Sequence, residues 1–207
     1  MRNLTVIIFV ILALSSYGQS EKKVSTESNG QWLVTNQFGI ATLEAENLFK
    51  VNASVFEGLI GREFYLSNKT SLITGIEFLR VRGDFLNTNN QNLFLSNDHI
   101  NIPLSLRFYN SKENKISIFG GFGIYGSYLL KSEIENILLN TTSDDNGLGF
   151  NFGMHLDVGL IYDLDEKWNI SLGFKYKSDF LESYRDSNQI FNLTDFYAVQ
   201  LGLGFKL

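Results

Sequence analysis

The last twelve residues, FYAVQLGLGFKL, fall into two sets when every second position is taken. Tyr197, Val199, Leu201, Leu203, Phe205 and Leu207 are apolar, whereas Phe196, Ala198, Gln200, Gly202, Gly204 and Lys206 are mostly small or polar. The same period runs through KWNISLGFKYKSDF. There Trp168, Ile170, Leu172, Phe174 and Tyr176 oppose Lys167, Asn169, Ser171, Gly173, Lys175, Lys177 and Asp179. In GLGFNFGMHLDVGLIYDL, the residues from Leu148 to Tyr162 at even positions are apolar, and Gly147, Gly149, Asn151, Gly153, His155, Asp157 and Gly159 lie between them. KISIFGGFGIYGSYLLK (Ile116, Ile118, Phe122, Ile124, Tyr128, Leu130) and HINIPLSLRFY (Ile100, Ile102, Leu104, Leu106, Phe108) repeat the pattern. A period of two sustained this long predicts β-strands with one face in an apolar medium.

Three earlier segments read as strands with less regular alternation. TSLITGIEFLRVRG sets Leu72, Ile76 and Phe78 against Gly75 and Glu77, and Arg80 and Arg82 at its end project beyond the apolar medium. VFEGLIGREFYL turns Phe56, Ile60, Phe64 and Leu66 outward and Glu57, Gly61 and Glu63 inward; Arg62 then falls on the outward face, which calls for a bulge or an interfacial position. WLVTNQFGIATL places Trp32, Val34, Phe38 and Ile40 on one parity. The sum is eight strands. Short turns (SNKT, NSKEN, DLDEK) alternate with long polar loops (NTNNQNLFLSND, SEIENILLNTTSDDN, LESYRDSNQIFN), and EAEN joins the first two strands. In an up-and-down meander this sends short connections to one rim and long ones to the other, as in outer-membrane barrels.

The glycines decide which face meets solvent. Gly147, Gly149, Gly153, Gly159, Gly173, Gly202 and Gly204 lie on the less greasy face. A water-facing surface has no use for them, because glycine weakens strands. The bore of an eight-stranded barrel is narrow enough for side chains to fill, so small residues there make room for a few long polar ones. A soluble, lipocalin-like barrel with the greasy face inside is therefore disfavoured. Trp168, Tyr176, Tyr162, Tyr128 and Tyr197, towards strand ends, fit interfacial aromatic girdles.

The N-terminus changes the picture of location. Arg2 is followed by LTVIIFVILAL, too short an apolar run for a helix that spans a bilayer, and then by SSYG. Residues 1–18 read as an export signal cleaved after Gly18, 19–30 as a short N-terminal segment and 31–207 as the barrel domain. The absence of cysteine excludes disulfides, thiol chemistry and a lipoprotein anchor; the net charge of -5 argues against nucleic acid as a partner.

HINIPLSLRFY, followed by ISIFGGFGIYGSYLL, GFNFGMHLDVGL and the closing LGLGFKL, resembles the PorT-like outer-membrane β-barrel family of Bacteroidetes. The resemblance covers nearly the whole mature chain, with Ile102-Pro103-Leu104 its sharpest motif. It implies fold and outer-membrane location far more than activity, and some members are tied to protein secretion or gliding. The apolar alternation back from Leu207 resembles the signal read by barrel-assembly machinery, although many such signals end in Phe. Pro103, on the bore parity, removes a ladder hydrogen bond and predicts a local bulge.

Inward parity collects Glu57, Glu63, Glu77, Arg107, His155, Asp157, Lys175 and Lys177. Charges buried in a narrow bore must pair, so a structural ion network is the first expectation; a narrow ion path is the second. His155 with Asp157 on one face, and Ser105 or Ser171 as nucleophile, form the only catalytic constellation, deep in a filled bore. His99 falls near the long-loop rim, where it is solvated. SDDNG is too short for an EF-hand calcium loop, and no metal-ligand spacing or phosphate-binding loop is present, so no cofactor is expected.

The expectation is an all-β protein: an eight-stranded, antiparallel, up-and-down transmembrane β-barrel in the outer membrane of a Gram-negative bacterium. Termini face the periplasm and long loops face outward. Its role is structural or interactive, not enzymatic, with outer-membrane lipid, the assembly machinery and another envelope protein as partners. A narrow pore is the alternative, and a membrane enzyme around His155 the remote one.

Overall fold

The computed structural model describes residues 30–206 apart from 46–48, 87–90, 111–114, 137–138, 140 and 182–190. The expected export signal lies outside the described residues. Eight strands follow in chain order: β1 (Gly30–Ala45), β2 (Phe49–Ser67), β3 (Thr70–Leu86), β4 (Asn92–Tyr109), β5 (Ile116–Asn136), β6 (Thr141–Asp163), β7 (Trp168–Leu181) and β8 (Phe191–Lys206). Each pairs antiparallel with its sequence neighbours, and β1 pairs with β8 to close the barrel. Closure gives every strand a partner on both sides, the condition that hydrocarbon imposes on a backbone. We call the end with the connections at 68–69, 110–115 and 164–167 the lower rim, and the opposite end the upper rim.

In the lower half, sidedness is as the alternation predicts. Phe38, Ile60, Ile76, Ile102, Ile124, Leu156, Phe174 and Leu201 are exposed on the outer wall. Aromatic side chains band this wall at two levels. Trp32, Trp168 and Phe205 lie in register near the lower rim, with the Trp168 and Phe205 rings 4.7 Å apart. The Tyr176 and Tyr197 rings meet at a tilt, with centroids 5.2 Å apart, further up at the level of Ile40.

The upper half departs from the expectation of a bore filled only by ionic and small groups. Leu43, Val51, Val55, Leu79, Val81, Leu95, Leu193 and Phe196 are buried inside the barrel and form one apolar core. On the outer wall at that height Lys50, Asn52, Ser54, Arg82, Asp84 and Glu135 are exposed. The barrel therefore inverts its polarity part-way up: below, the wall is oily outside and the bore mainly polar, with two small apolar clusters (Leu33, Leu59, Ile73 and Tyr109, Phe119, Ile161); above, the wall is polar outside and oily inside. The switch is visible as adjacent apolar residues that end one face and begin the other: Ile40 and Ala41, Val55 and Phe56, Phe78 and Leu79, Phe196 and Tyr197. Register shifts cluster near this level, at Thr42/Leu43 against β8, Asp98/His99 against β5 and Leu129/Lys131 against β6. A bulge inserts one residue and re-aims those that follow. After Leu130 the inward face passes from odd to even positions, so Ile134 joins the core. Across this bulge Gly149 has φ of 124°, a conformation that only glycine adopts without strain.

This inversion corrects the expected loops. All of NLFLSND belongs to β4, SEIEN to β5 and TTSDDNG to β6, which confines the connections between these strands to 87–91 and 137–140. The upper rim is built mainly by longer strands, of up to 23 residues, rather than by long loops. The loop expected at LESYRDSNQIFN falls largely on residues outside those described. The bulge expected at Pro103 is absent. Pro103 pairs in register with Tyr125, and the β3–β4 ladder skips Gly75 and Ile76 without a shift. Arg62 likewise sits in unbroken register, facing outward opposite Trp32 and Thr74.

Candidate functional site in the barrel bore

Glu57 and Glu77 are inward residues of neighbouring strands, offset by one inward step in the β2–β3 register. Lys175 and Lys177 are successive inward residues of β7. Strands β3 and β7 are four apart in a ring of eight, so these pairs face each other across the bore. Lys175 Nζ donates to Glu57 Oε1 at 3.0 Å and to Glu77 Oε1 at 2.7 Å. Lys177 Nζ donates to the second oxygen of each carboxylate. Two cations and two anions thus form a neutral, closed ring in which each charge has two partners. Glu57, Glu77 and Lys177 are fully buried, which makes complete pairing a requirement, since a lone buried charge is costly.

A second pair lies closer to the lower rim. Arg107 Nη2 on β4 donates to Asp157 Oδ2 on β6 at 2.9 Å, with the guanidinium 4.1 Å from the Phe119 ring centroid. Glu63 is different: among the described residues no cation pairs with it. Its carboxylate accepts hydrogen bonds from Gln31 Nε2 at 2.6 Å and from the Ser71 and Tyr109 hydroxyls. Asn169 on β7 donates to Gln31 at 2.6 Å, so this network reaches across the lower bore. Above the ionic ring, Asp179 accepts from the Tyr125 hydroxyl and Asn151 Nδ2, both at 2.6 Å, and from the Leu193 amide at 3.2 Å. It thereby links β5, β6, β7 and β8 beneath the apolar core.

The His155–Asp157 contact anticipated from their shared face does not form, because Asp157 is held by Arg107. His155 Nε2 instead lies 2.7 Å from Ser105 Oγ, and its Nδ1 has no partner among the described residues. The void bounded by Gln37, Ser105, His155 and Lys175 measures about 20 Å³, room for about one water molecule. Among the described residues no carboxylate orients this serine–histidine pair, and the void beside it is smaller than a substrate. His99 is not solvated at the rim; it is half-buried and its Nδ1 lies 3.3 Å from Ser127 Oγ.

All eight inward residues named from the sequence line the bore, but they divide into four separate groups. Six form the two ion-pair clusters, Glu63 is held by neutral donors and His155 by Ser105. Gln31, Tyr109, Tyr125 and Asp179 were not singled out. Their inward parity was the available signal, together with the rule that a buried tyrosine hydroxyl finds an acceptor.

The sequence profile of the outer membrane protein beta-barrel domain family matches residues 9–206. No curated protein matches the sequence. Among solved structures, the barrel is similar to Neisserial surface protein A, with a TM-score of 0.55 at 10% identity over 85% of this chain and 97% of that one. It is also similar to the outer membrane protein OprG from Pseudomonas aeruginosa, with a TM-score of 0.52 at 13% identity over 87% and 97%. At such identities the likeness is one of fold.

Proposed function

Because this chain belongs to the outer membrane protein beta-barrel domain family, we propose that it acts as a closed, non-enzymatic barrel whose outer surfaces engage other components of the cell envelope. The observation that carries this reading is the sealed bore. The ionic ring of Glu57, Glu77, Lys175 and Lys177 crosses it, the Glu63 network closes it below and the apolar core fills it above. Solute transport needs a water path and catalysis a substrate pocket; among the described residues the void beside His155 has room for about one water, which supports neither. What remains are the walls and the upper rim. In this reading residues 1–18 direct export, the assembly machinery inserts the barrel, the lower rim faces the periplasm and the upper section projects outward. The PorT-like motifs Ile102-Pro103-Leu104 and LGLGFKL favour a partner among secretion components.

Planar-bilayer recording tests the sealed bore. The protein and its Lys175→Glu variant are expected to give no regular open-channel events. Repeated openings whose selectivity changes with the charge reversal would replace this reading with that of a pore. The absence of native cysteine permits a clean cross-linking test from Asp84→Cys on the outer wall. Adducts with an envelope protein support the interaction role, and adducts with lipid alone oppose it.

A further inference from the structure

Among the described residues, Arg62 is the one outward arginine set among apolar neighbours in the lower half of the wall, and the sealed bore does not account for it. Ile60 and Phe64 flank it on β2, Trp32 faces it on β1 and Thr74 on β3. No acidic residue occupies the outward positions of β1, β2 or β3 within two residues of this row. Four other outer-wall or rim cations have carboxylate partners, Arg80 with Asp98, Lys131 with Glu133, Lys50 with Glu44 and Lys206 with Asp163, whereas Arg82, Lys69, Lys115 and Lys167 are exposed where water solvates them. The Arg62 guanidinium has only rings, with Cζ 5.8 Å from the Trp32 centroid and 5.1 Å from that of Phe64. Its Nε is buried and without a partner among the described residues.

Position and direction identify what would neutralise this charge. Trp32 belongs to the lower aromatic band, the level at which a bilayer passes from hydrocarbon to headgroup. Phe64 lies two residues closer to the lower rim, so the contact with its ring shows the side chain running towards that rim. A long cation beside hydrocarbon reaches for the interface in this way. The first anion it meets there is a phosphodiester. A guanidinium presents paired donors that match two phosphate oxygens, and the Thr74 hydroxyl in the same row supplies a third donor. We propose that Arg62, with Thr74 and the flanking Trp32 and Phe64 rings, forms a binding site for the phosphate of a phospholipid headgroup in the leaflet at the lower rim.

The test uses the full mature chain folded in a phosphate-free maltoside detergent, with phosphatidylglycerol as the probe and native mass spectrometry as the readout. The unaltered protein is expected to retain one phosphatidylglycerol, with about tenfold weaker retention in Arg62→Gln, the effect of losing a charge-assisted contact. Arg62→Lys, which keeps the charge but not the fork, is expected to fall between the two. Diacylglycerol, which lacks the phosphate, should not be retained; equal retention of both lipids would overturn the proposal, since apolar packing alone would then explain it. Equal retention by Arg62→Gln and the unaltered protein would also overturn it. Inorganic phosphate in excess distinguishes the source: failure to displace the lipid supports a headgroup site, and full displacement overturns it in favour of a free-anion site. Should Arg62→Gln fail to fold, Thr74→Val and Arg62→Lys carry the same comparison.

Discussion

Lys175 on β7 donates to Glu77 on β3 at 2.7 Å, a bond between opposite walls of the barrel. Lys177 doubles that link, and Glu57 completes a ring with no net charge. Removing one member leaves a surplus charge where water cannot reach. Glu77→Gln is expected to destabilise the folded barrel by roughly 3–5 kcal/mol. Adding Lys177→Met restores neutrality, because Lys175 and Glu57 remain paired. The double variant should therefore lose much less than the two single losses summed. Denaturant titration in lipid vesicles measures this, and strictly additive losses would mean that the four charges do not act as a unit.

Two glycines of β5 and β6 separate close packing from mere composition. A Cβ at Gly153 would collide with the Tyr125 ring and hydroxyl and come within 2.7 Å of the Ser178 carbonyl. A Cβ at Gly120 would meet nothing within 4 Å. Gly153→Ala should displace Tyr125 from Asp179 and cost about 1–3 kcal/mol, the range for overpacking. Gly120→Ala should leave stability unchanged or slightly raised. Equal effects at both sites would show that the bore tolerates added volume.

The polarity inversion makes neighbouring residues respond in opposite ways. Val81 points into the apolar core and Arg82 into solvent. Val81→Asn is expected to cost about 1–3 kcal/mol through an unpaired buried amide. Arg82→Asn should stay within about 0.5 kcal/mol, as surface changes do. Unfolding midpoints of the two variants check this; a reversed order would place the core on the wrong side of the wall.

At the lower rim, Asp165 accepts hydrogen bonds from the Lys167 and Trp168 amides, both at 2.7 Å. These bonds favour the carboxylate and lower its pKa from the usual 3.8. A carboxyl depressed by folding contributes stability above its unfolded pKa and loses it as the pH falls through the folded value. Asp165→Asn should therefore narrow the gap in stability between neutral and strongly acidic pH. A variant that keeps the full gap would assign the acid sensitivity to other carboxylates.

How far the fold was legible depends on height along the barrel. In the lower half, one parity stays apolar over many residues, as from Ile100 to Phe108, and the strands and their sidedness follow directly. Above it the apolar face changes parity within one residue, as at Val55 and Phe56. A reading that follows a single face stops there and assigns Leu95 and Ile134 to loops, although both are core residues. The bulge at Leu130 adds a further phase change that no composition reveals. Inward charges were legible from parity, but their pairing was not. Arg107 meets Asp157, and β7 faces β3, only once the ring has closed. The same holds for Arg62: its outward parity was plain, while its two ring partners depended on the β1–β2 register.

Strands of up to 23 residues have a consequence for what stands above the lipid-facing band. A tilted strand of 21 residues such as β5 climbs roughly 50 Å along the axis, about twice the height of a typical lipid-facing band. The excess is hydrogen-bonded sheet wrapped around Leu95, Val81 and Phe196. It rises above the lipid-facing band as a stiff turret, on whose paired strands proteases find no slack chain to cut and a docking molecule meets a surface already set in shape.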